Sequence, residues 1–136
     1  MKNLLLCFGL ILGITQLAFS QDIFKLKDLK PHEEYENILI KKLYSDNQST
    51  SFVIWVKDNV KAHYHAEHTE QLFILEGKGK MTIGEQTSNI KKGDYFVIPK
   101  GVPHSVKVIG RKPLKVLSVQ SPEFVGKDRV FVKNEN

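Results

Sequence analysis

The chain has 136 residues, a formal net charge of +5 and 41% hydrophobic residues. This length predicts a single domain. The lysines are scattered through turns and do not gather with aromatic residues on one face, a pattern that argues against nucleic acid as a partner. Cys7 is the only cysteine. No disulfide can therefore form within the chain, and stability must come from an apolar core and from any bound metal.

The first twenty residues have the pattern of a signal peptide. Lys2 supplies a positive start, residues 4–14 are mostly apolar, and residues 18–20 fit a cleavage site before Gln21. The alternative, an uncleaved membrane anchor, needs roughly 20 apolar residues, and Thr15 interrupts the run too early. We therefore expect a secreted or periplasmic protein that starts at Gln21 and has no stable membrane anchor.

Seven short runs of apolar and β-branched residues follow, each ending at turn residues. They cover residues 38–40, 51–56, 71–75, 80–83, 95–98, 104–109 and 114–119. This spacing predicts an all-β sandwich or barrel. The only helical structure expected is a turn or two within residues 28–36, where Pro31 limits its length.

Three histidines and one glutamate have the spacing of metal ligands. In an extended strand, His63 and His65 point to the same face, roughly 6 to 7 Å apart. Glu70 begins the next apolar run and His104 begins a later one. We expect three neighbouring strands to direct these four side chains towards one ion. The alternative, histidines satisfied within the core, does not explain why they cluster with a carboxylate.

The type of donor restricts the ion. Imidazole and carboxylate together suit iron, manganese, nickel, copper or zinc, whereas calcium and magnesium prefer oxygen ligands alone. The sequence does not choose among these five metals. A six-coordinate ion with four protein ligands would keep two positions free for water, dioxygen or substrate. A tetrahedral zinc would keep none and would be structural.

Both stretches resemble the paired sequence motifs of the cupin superfamily. The matching positions are His63, His65, Glu70 and Gly77 in the first motif, and Gly93, Pro99, Gly101 and His104 in the second. Lys57 and Val108 replace a glycine and an asparagine of the motifs, and neither is a ligand position. The resemblance covers about residues 38–128. It implies one small cupin domain within residues 21–136, a jelly-roll barrel (double-stranded β-helix), with one divalent transition metal held by the four ligands.

Other residues near the motifs have simpler interpretations. Glu67 and His68 lie in the loop between ligands, where either could serve as an acid or base at the rim of the site. Solvent exposure is the favoured interpretation for both. His32 is expected at the surface.

The function is less determined than the site, because cupins include dioxygenases, isomerases, oxalate-degrading enzymes, decarboxylases and binding proteins. A divalent ion with one carboxylate leaves a single positive charge in an apolar pocket, which favours an anionic or chelating small molecule as ligand. The leading hypothesis is a secreted, oxygenase-like metalloenzyme, specifically a metal-dependent dioxygenase. The alternatives are a metal-dependent binding or sensing module and a sugar isomerase.

We also expect a homodimer that pairs through residues 38–44.

Overall fold

The computed structural model describes residues 23–132 and contains ten β-strands in this range. The strands are β1 (Ile38–Ser45), β2 (Thr50–Val56), β3 (Asn59–His65), β4 (Thr69–Glu76), β5 (Lys78–Ile83), β6 (Gln86–Lys91), β7 (Tyr95–Ile98), β8 (His104–Val108), β9 (Leu114–Ser121) and β10 (Arg129–Phe131). They confirm the all-β prediction. The expected signal peptide, residues 1–20, lies outside the described residues.

The strands form two antiparallel five-stranded sheets that face each other. The first sheet has the order β1-β2-β9-β4-β7, and the second has the order β10-β3-β8-β5-β6. Neighbours within each sheet are mostly distant in sequence, as in a jelly roll. Strands β1 and β10 are each at the edge of a sheet, so the barrel has an open side between them.

All seven apolar runs became strands, but the apolar pattern did not reveal β3, β6 and β10. Strand β3 was expected only from the spacing of His63 and His65. Strand β6 is mostly polar and only Ile90 in it is buried, while β10 is a short, exposed edge strand. Such strands form because backbone groups pair with a neighbour, not because a face is buried. The helical turns expected within residues 28–36 are wrong: a single 3-10 turn occurs earlier, at Leu26–Asp28.

The main core lies between the two sheets. Its buried members are Val56, Leu72, Ile74, Met81, Ile90, Ile98, Leu114 and Val116. Full burial of such a side chain contributes about 1.5 to 3 kcal/mol relative to exposure. These side chains come from both sheets, so their packing sets the distance between the sheets. Any functional site in the interior has to span this distance.

A smaller cluster covers the outer face of β1 and β2. Leu39, Val53 and Trp55 are buried there beneath the chain that precedes β1. The ammonium group of Lys115 donates hydrogen bonds to the carbonyl oxygens of Leu26 and Leu29, each at 2.7 Å. The N-terminal segment is therefore fixed to the first sheet by apolar contacts and by a buried cation.

The glycines of the two motifs lie in turns between strands. Gly77 joins β4 to β5 with φ at +85°, and Gly93 and Gly101 also have positive φ. At Gly77 a Cβ atom would lie 2.5 Å from the carbonyl oxygen of Pro113. Only glycine fits that position without a shift of the backbone.

Within residues 23–132, no helix has the length and apolar character needed to cross a lipid bilayer.

We predict a homodimer that pairs through the β1 edge, because an unpaired strand edge favours addition of another strand. Tyr44 on β1 is 58% exposed and Tyr95 on β7, at the other edge of the same sheet, is 56% exposed. Light scattering at micromolar concentration should give a dimer for the wild type and for Tyr95→Glu, but a monomer for Tyr44→Glu. A monomeric wild type, or loss of the dimer only in Tyr95→Glu, would contradict this assignment.

Candidate metal centre

A β-bulge in β3 directs both histidines of the first motif into the barrel. Val60 pairs with Val106 of β8, and the next pair in the register is His63 with His104, so β3 has one residue more than β8 in this interval. Regular alternation from the inward-facing Val60 would have placed Ala62 and Tyr64 inside. The extra residue reverses the alternation and turns His63 and His65 inward instead.

Three imidazole rings meet inside the barrel as a result. The centroid of the His63 ring lies 4.2 Å from that of His104 and 5.3 Å from that of His65. All three side chains are buried, and one nitrogen of each can be chosen so that the three lie within 4.8 Å of one another. This geometry is compatible with three nitrogen ligands on one ion.

The carboxylate of Glu70 approaches this group from the opposite sheet. Its Oε2 atom lies 3.4 Å from Nε2 of His65 and 3.5 Å from Nε2 of His104. The expectation that three neighbouring strands carry the ligands is therefore wrong in one respect. Strands β3 and β8 are neighbours, but β4 belongs to the other sheet, so the four side chains span the interior.

Strand β9 orients the Glu70 carboxylate. Its Oε1 atom accepts hydrogen bonds from Ser118 Oγ at 2.5 Å and from Gln120 Nε2 at 3.2 Å. Gln120 pairs directly with Glu70 in the register between β4 and β9, and Ser118 lies two residues away on the same face. Oε1 is thus occupied, and Oε2 is left to face the imidazoles.

The imidazoles also present a fixed nitrogen to the centre. His63 donates from Nδ1 to the carbonyl oxygen of Lys61 at 2.8 Å, and His104 donates from Nδ1 to that of Val102 at 3.1 Å. A hydrogen bond at Nδ1 leaves the Nε2 lone pair free to bind a metal.

His65 supplies the observation that a metal fits this site. Both of its ring nitrogens are buried and neither has a hydrogen-bond partner among the described residues. Nδ1 lies 3.2 Å from Oδ2 of Asp128, but not in a hydrogen-bonding direction. Buried polar atoms are rarely left unsatisfied. An ion would satisfy Nε2, and a small rotation of the ring would bring Nδ1 into a hydrogen bond with Asp128.

The protonation states also suit a cation. Burial lowers the pKa of His63 to about 4, and the nearby charges of His104, Arg129 and His65 act in the same direction. Burial alone would raise the pKa of Glu70, but the adjacent imidazoles of His104 and His65 and the hydrogen bond from Ser118 hold this pKa well below its usual range. Near neutral pH the site therefore offers a neutral imidazole and an ionised carboxylate, which are the forms that bind metals.

Asp128, which the sequence motifs did not reveal, supports the ligands from behind. Its Oδ2 atom accepts a hydrogen bond from Nδ1 of His68, and its Oδ1 atom accepts one from the backbone N–H of Glu67 at 2.6 Å. It lies just before β10, far from the motifs in sequence. No local sequence pattern distinguishes this buried aspartate from an exposed one.

His68 is buried, contrary to the favoured interpretation of an exposed loop residue. Its Nε2 atom donates to the carbonyl oxygen of Glu123 at 3.0 Å, while Nδ1 donates to Asp128. Burial opposes a charge on His68, but these two acceptors outweigh it and raise its pKa. Both nitrogens are engaged, so His68 positions Asp128 and is not placed to act as a free base.

Glu67 and His32 are at the surface, as the favoured interpretation held. The Glu67 carboxylate pairs with the ammonium group of Lys100 at 2.6 Å, and both side chains are mostly exposed. His32 lies 4.0 Å from Glu33 outside the barrel. Neither residue reaches the imidazole cluster in this conformation.

Asp128→Asn should weaken metal binding by about 10- to 100-fold, because removal of a partner behind a metal-binding histidine has effects of this size. Asp94→Asn is a matched control, since Asp94 also accepts a backbone N–H, that of Lys91 at 2.8 Å, but in a remote turn. Competition with a chromogenic chelator measures both affinities. Equal affinities in the two variants would show that Asp128 does not support the site.

The stability of the metal-free protein should fall as the pH drops from about 6.5 towards 4. His63 has a folded-state pKa of about 4, below the value near 6.5 in the unfolded chain. Between these values the unfolded chain binds more protons, so acid favours unfolding. Thermal melts in chelator should show this slope in wild type and a smaller one in His63→Gln. Identical slopes would contradict the assignment.

Comparisons with known proteins agree with the fold and the motifs. The family described as "Cupin domain" matches residues 51–120. An uncharacterised protein of Aquifex aeolicus is 31% identical over 119 residues, which cover 82% of this chain and 98% of that protein. A mannose-1-phosphate guanylyltransferase of Salmonella typhimurium is 30% identical over 70 residues, which cover 52% of this chain but 15% of the enzyme.

Solved structures show the same architecture. A conserved Klebsiella pneumoniae protein described as having a double-stranded β-helix domain has a TM-score of 0.70 at 18% identity, covering 85% of this chain and 100% of its own. An oxalate decarboxylase has a TM-score of 0.62 at 21% identity, covering 80% of this chain and 31% of the enzyme. The fold, the paired motifs and the family match together establish that this chain belongs to the cupin family.

Proposed function

We propose that the protein is a metal-dependent, oxygenase-like enzyme acting on an anionic or chelating small molecule. The observation that carries this proposal is the cluster of His63, His65 and His104 from one sheet, with the Glu70 carboxylate of the other sheet beside His65 and His104. His63, Glu70 and His104 line an interior cavity of about 60 Å³ whose other walls are mostly apolar. A site of this kind favours chemistry by a bound ion in a dry environment.

The residues around the cavity limit the chemistry that the protein could perform alone. Among the described residues, the ionisable side chains that line the cavity are those of His63, Glu70, His104 and Arg129. No additional imidazole or carboxylate stands free there to act as a general base. A bound redox-active metal such as iron would supply electron transfer, and the chain's own part is to hold it, orient substrate and exclude water.

Two alternatives make different demands on the site. A sugar isomerase needs an acid or base beside the substrate, and the candidates Glu67 and His68 are engaged elsewhere. The similarity to mannose-1-phosphate guanylyltransferases keeps a sugar ligand under consideration, although it spans a small part of those enzymes. A metal-dependent binding module needs only the ion and the pocket. The identity of the bound metal distinguishes such a binding module from an oxygenase.

We further propose that the protein works outside the cytoplasm, on the basis of the charged start, apolar run and cleavage pattern in its first twenty residues. Its mature domain has no thiol to oxidise there.

His104→Ala and Glu70→Ala should each lose most of the bound metal, whereas His32→Ala should retain it. The first two remove a donor from the buried cluster, and His32 lies outside the barrel. Elemental analysis after dialysis measures retention, and thermal melts with and without chelator show whether the ion stabilises the fold. Equal metal loss in His32→Ala and His104→Ala would exclude this site.

The oxygenase-like assignment is tested by the metal in protein purified from its native compartment. We expect iron, since it supports oxygen chemistry with this donor set. Stoichiometric zinc would contradict oxygenase activity and favour hydrolysis, isomerisation or a structural role.

A further inference from the structure

The open side of the barrel forms a second, larger cavity next to the metal ligands. It lies between the edge strands β1 and β10 and has a volume of about 450 Å³. Ile40, Phe52, Gln120, Phe124, Arg129 and Phe131 are among its lining residues, and we call this cavity the mouth. The interior cavity of about 60 Å³ is too small for most metabolites, whereas the mouth has the size of a small-molecule site.

Arg129 gives the mouth a positive charge. It pairs directly with His65 in the antiparallel register, so its side chain points to the same face as this ligand. Arg129 also lines both cavities. Within residues 23–132, no carboxylate lies within 4.0 Å of its guanidinium group. A free guanidinium is suited to bind a carboxylate through two parallel hydrogen bonds.

Gln120 gives the mouth an acceptor that lacks a donor. Its side chain is 5% exposed, and its Nε2 atom donates to Glu70. The Glu70 carboxylate can only accept, so this contact fixes the orientation of the amide. The Oε1 atom of Gln120 is then buried without a partner among the described residues. A ligand that carries a hydroxyl group could supply the missing donor.

His65, Lys127 and Asp128 also line the mouth, and its other side-chain walls are apolar. Phe52 and Phe124 pack edge to face with ring centroids 5.7 Å apart. Ile40 is 43% exposed and Phe131 is 58% exposed at the two sides of the opening. Such side chains are suited to contact a hydrocarbon or aromatic group.

We infer that the mouth binds a hydroxycarboxylic acid with an apolar body, with its carboxylate on Arg129 and its hydroxyl group donating to Gln120. This inference rests on the proposed function, since it names the ligand class of the same site. It makes Arg129 and Gln120 the specificity-determining residues. The apolar body would lie against the phenylalanine side chains of the mouth.

Calorimetry with mandelate tests the inference, because mandelate combines a carboxylate, a hydroxyl group and a phenyl ring. Two analogues remove one group each: phenylacetate lacks the hydroxyl group, and phenylethanediol lacks the carboxylate. Arg129→Gln removes the guanidinium group, and Arg111→Gln is the matched control because these are the two arginines of the chain. Arg111 lies in the turn between β8 and β9 and lines neither cavity.

Arg129→Gln should weaken mandelate binding by about tenfold or more, as expected for a charged hydrogen bond, while Arg111→Gln should match wild type. Phenylacetate and phenylethanediol should both bind wild type more weakly than mandelate, and phenylethanediol should not distinguish Arg129→Gln from wild type. No mandelate binding at millimolar concentration, or equal binding by Arg129→Gln and wild type, would overturn the inference. The same titrations are done with metal-loaded and with chelator-treated protein, and elemental analysis measures the metal in each sample. If metal is bound but mandelate is not, the inference about the mouth fails; if no metal is bound, the proposed metal site fails.

Discussion

The buried carboxylate of Glu70 is the constraint on which the rest of the structure depends. An isolated carboxylate inside a protein is strongly unfavourable unless hydrogen bonds or opposite charge compensate it. Ser118 and Gln120 satisfy one of its oxygens from the same sheet, and the other oxygen faces imidazoles from the opposite sheet. The two sheets must therefore keep their register and separation for this charge to remain buried. A cation at the imidazole cluster would complete the compensation and join the sheets.

The short strand β10 connects the metal ligands with the open side of the barrel. Asp128 supports the loop between the ligands His65 and Glu70, and the next residue, Arg129, faces the mouth beside His65. One edge strand thus contributes to both ion binding and ligand recognition. Because β10 is exposed and pairs with a single strand, its position depends on that pairing and on the buried contact between Asp128 and His68.

The sequence was sufficient for the all-β fold, since alternating apolar runs and glycine turns are local signals. The spacing of His63 and His65 indicated one shared face. It could not reveal the bulge after Val60, which reverses the alternation and depends on pairing with β8. It also could not reveal Asp128 or the burial of His68, because both depend on how the chain after β9 packs. Long-range contacts of this kind leave no periodic pattern in the sequence.

The most direct measurement is the anomalous diffraction of crystals grown with manganese or iron. The account predicts one ion about 2.0 to 2.3 Å from Nε2 of His63, His65 and His104 and from Oε2 of Glu70. A second cluster of potential ligands, formed by His65, His68 and Asp128, provides the competing position. An anomalous peak at that second cluster alone, or no peak in metal-loaded crystals, would contradict the assignment of the metal centre.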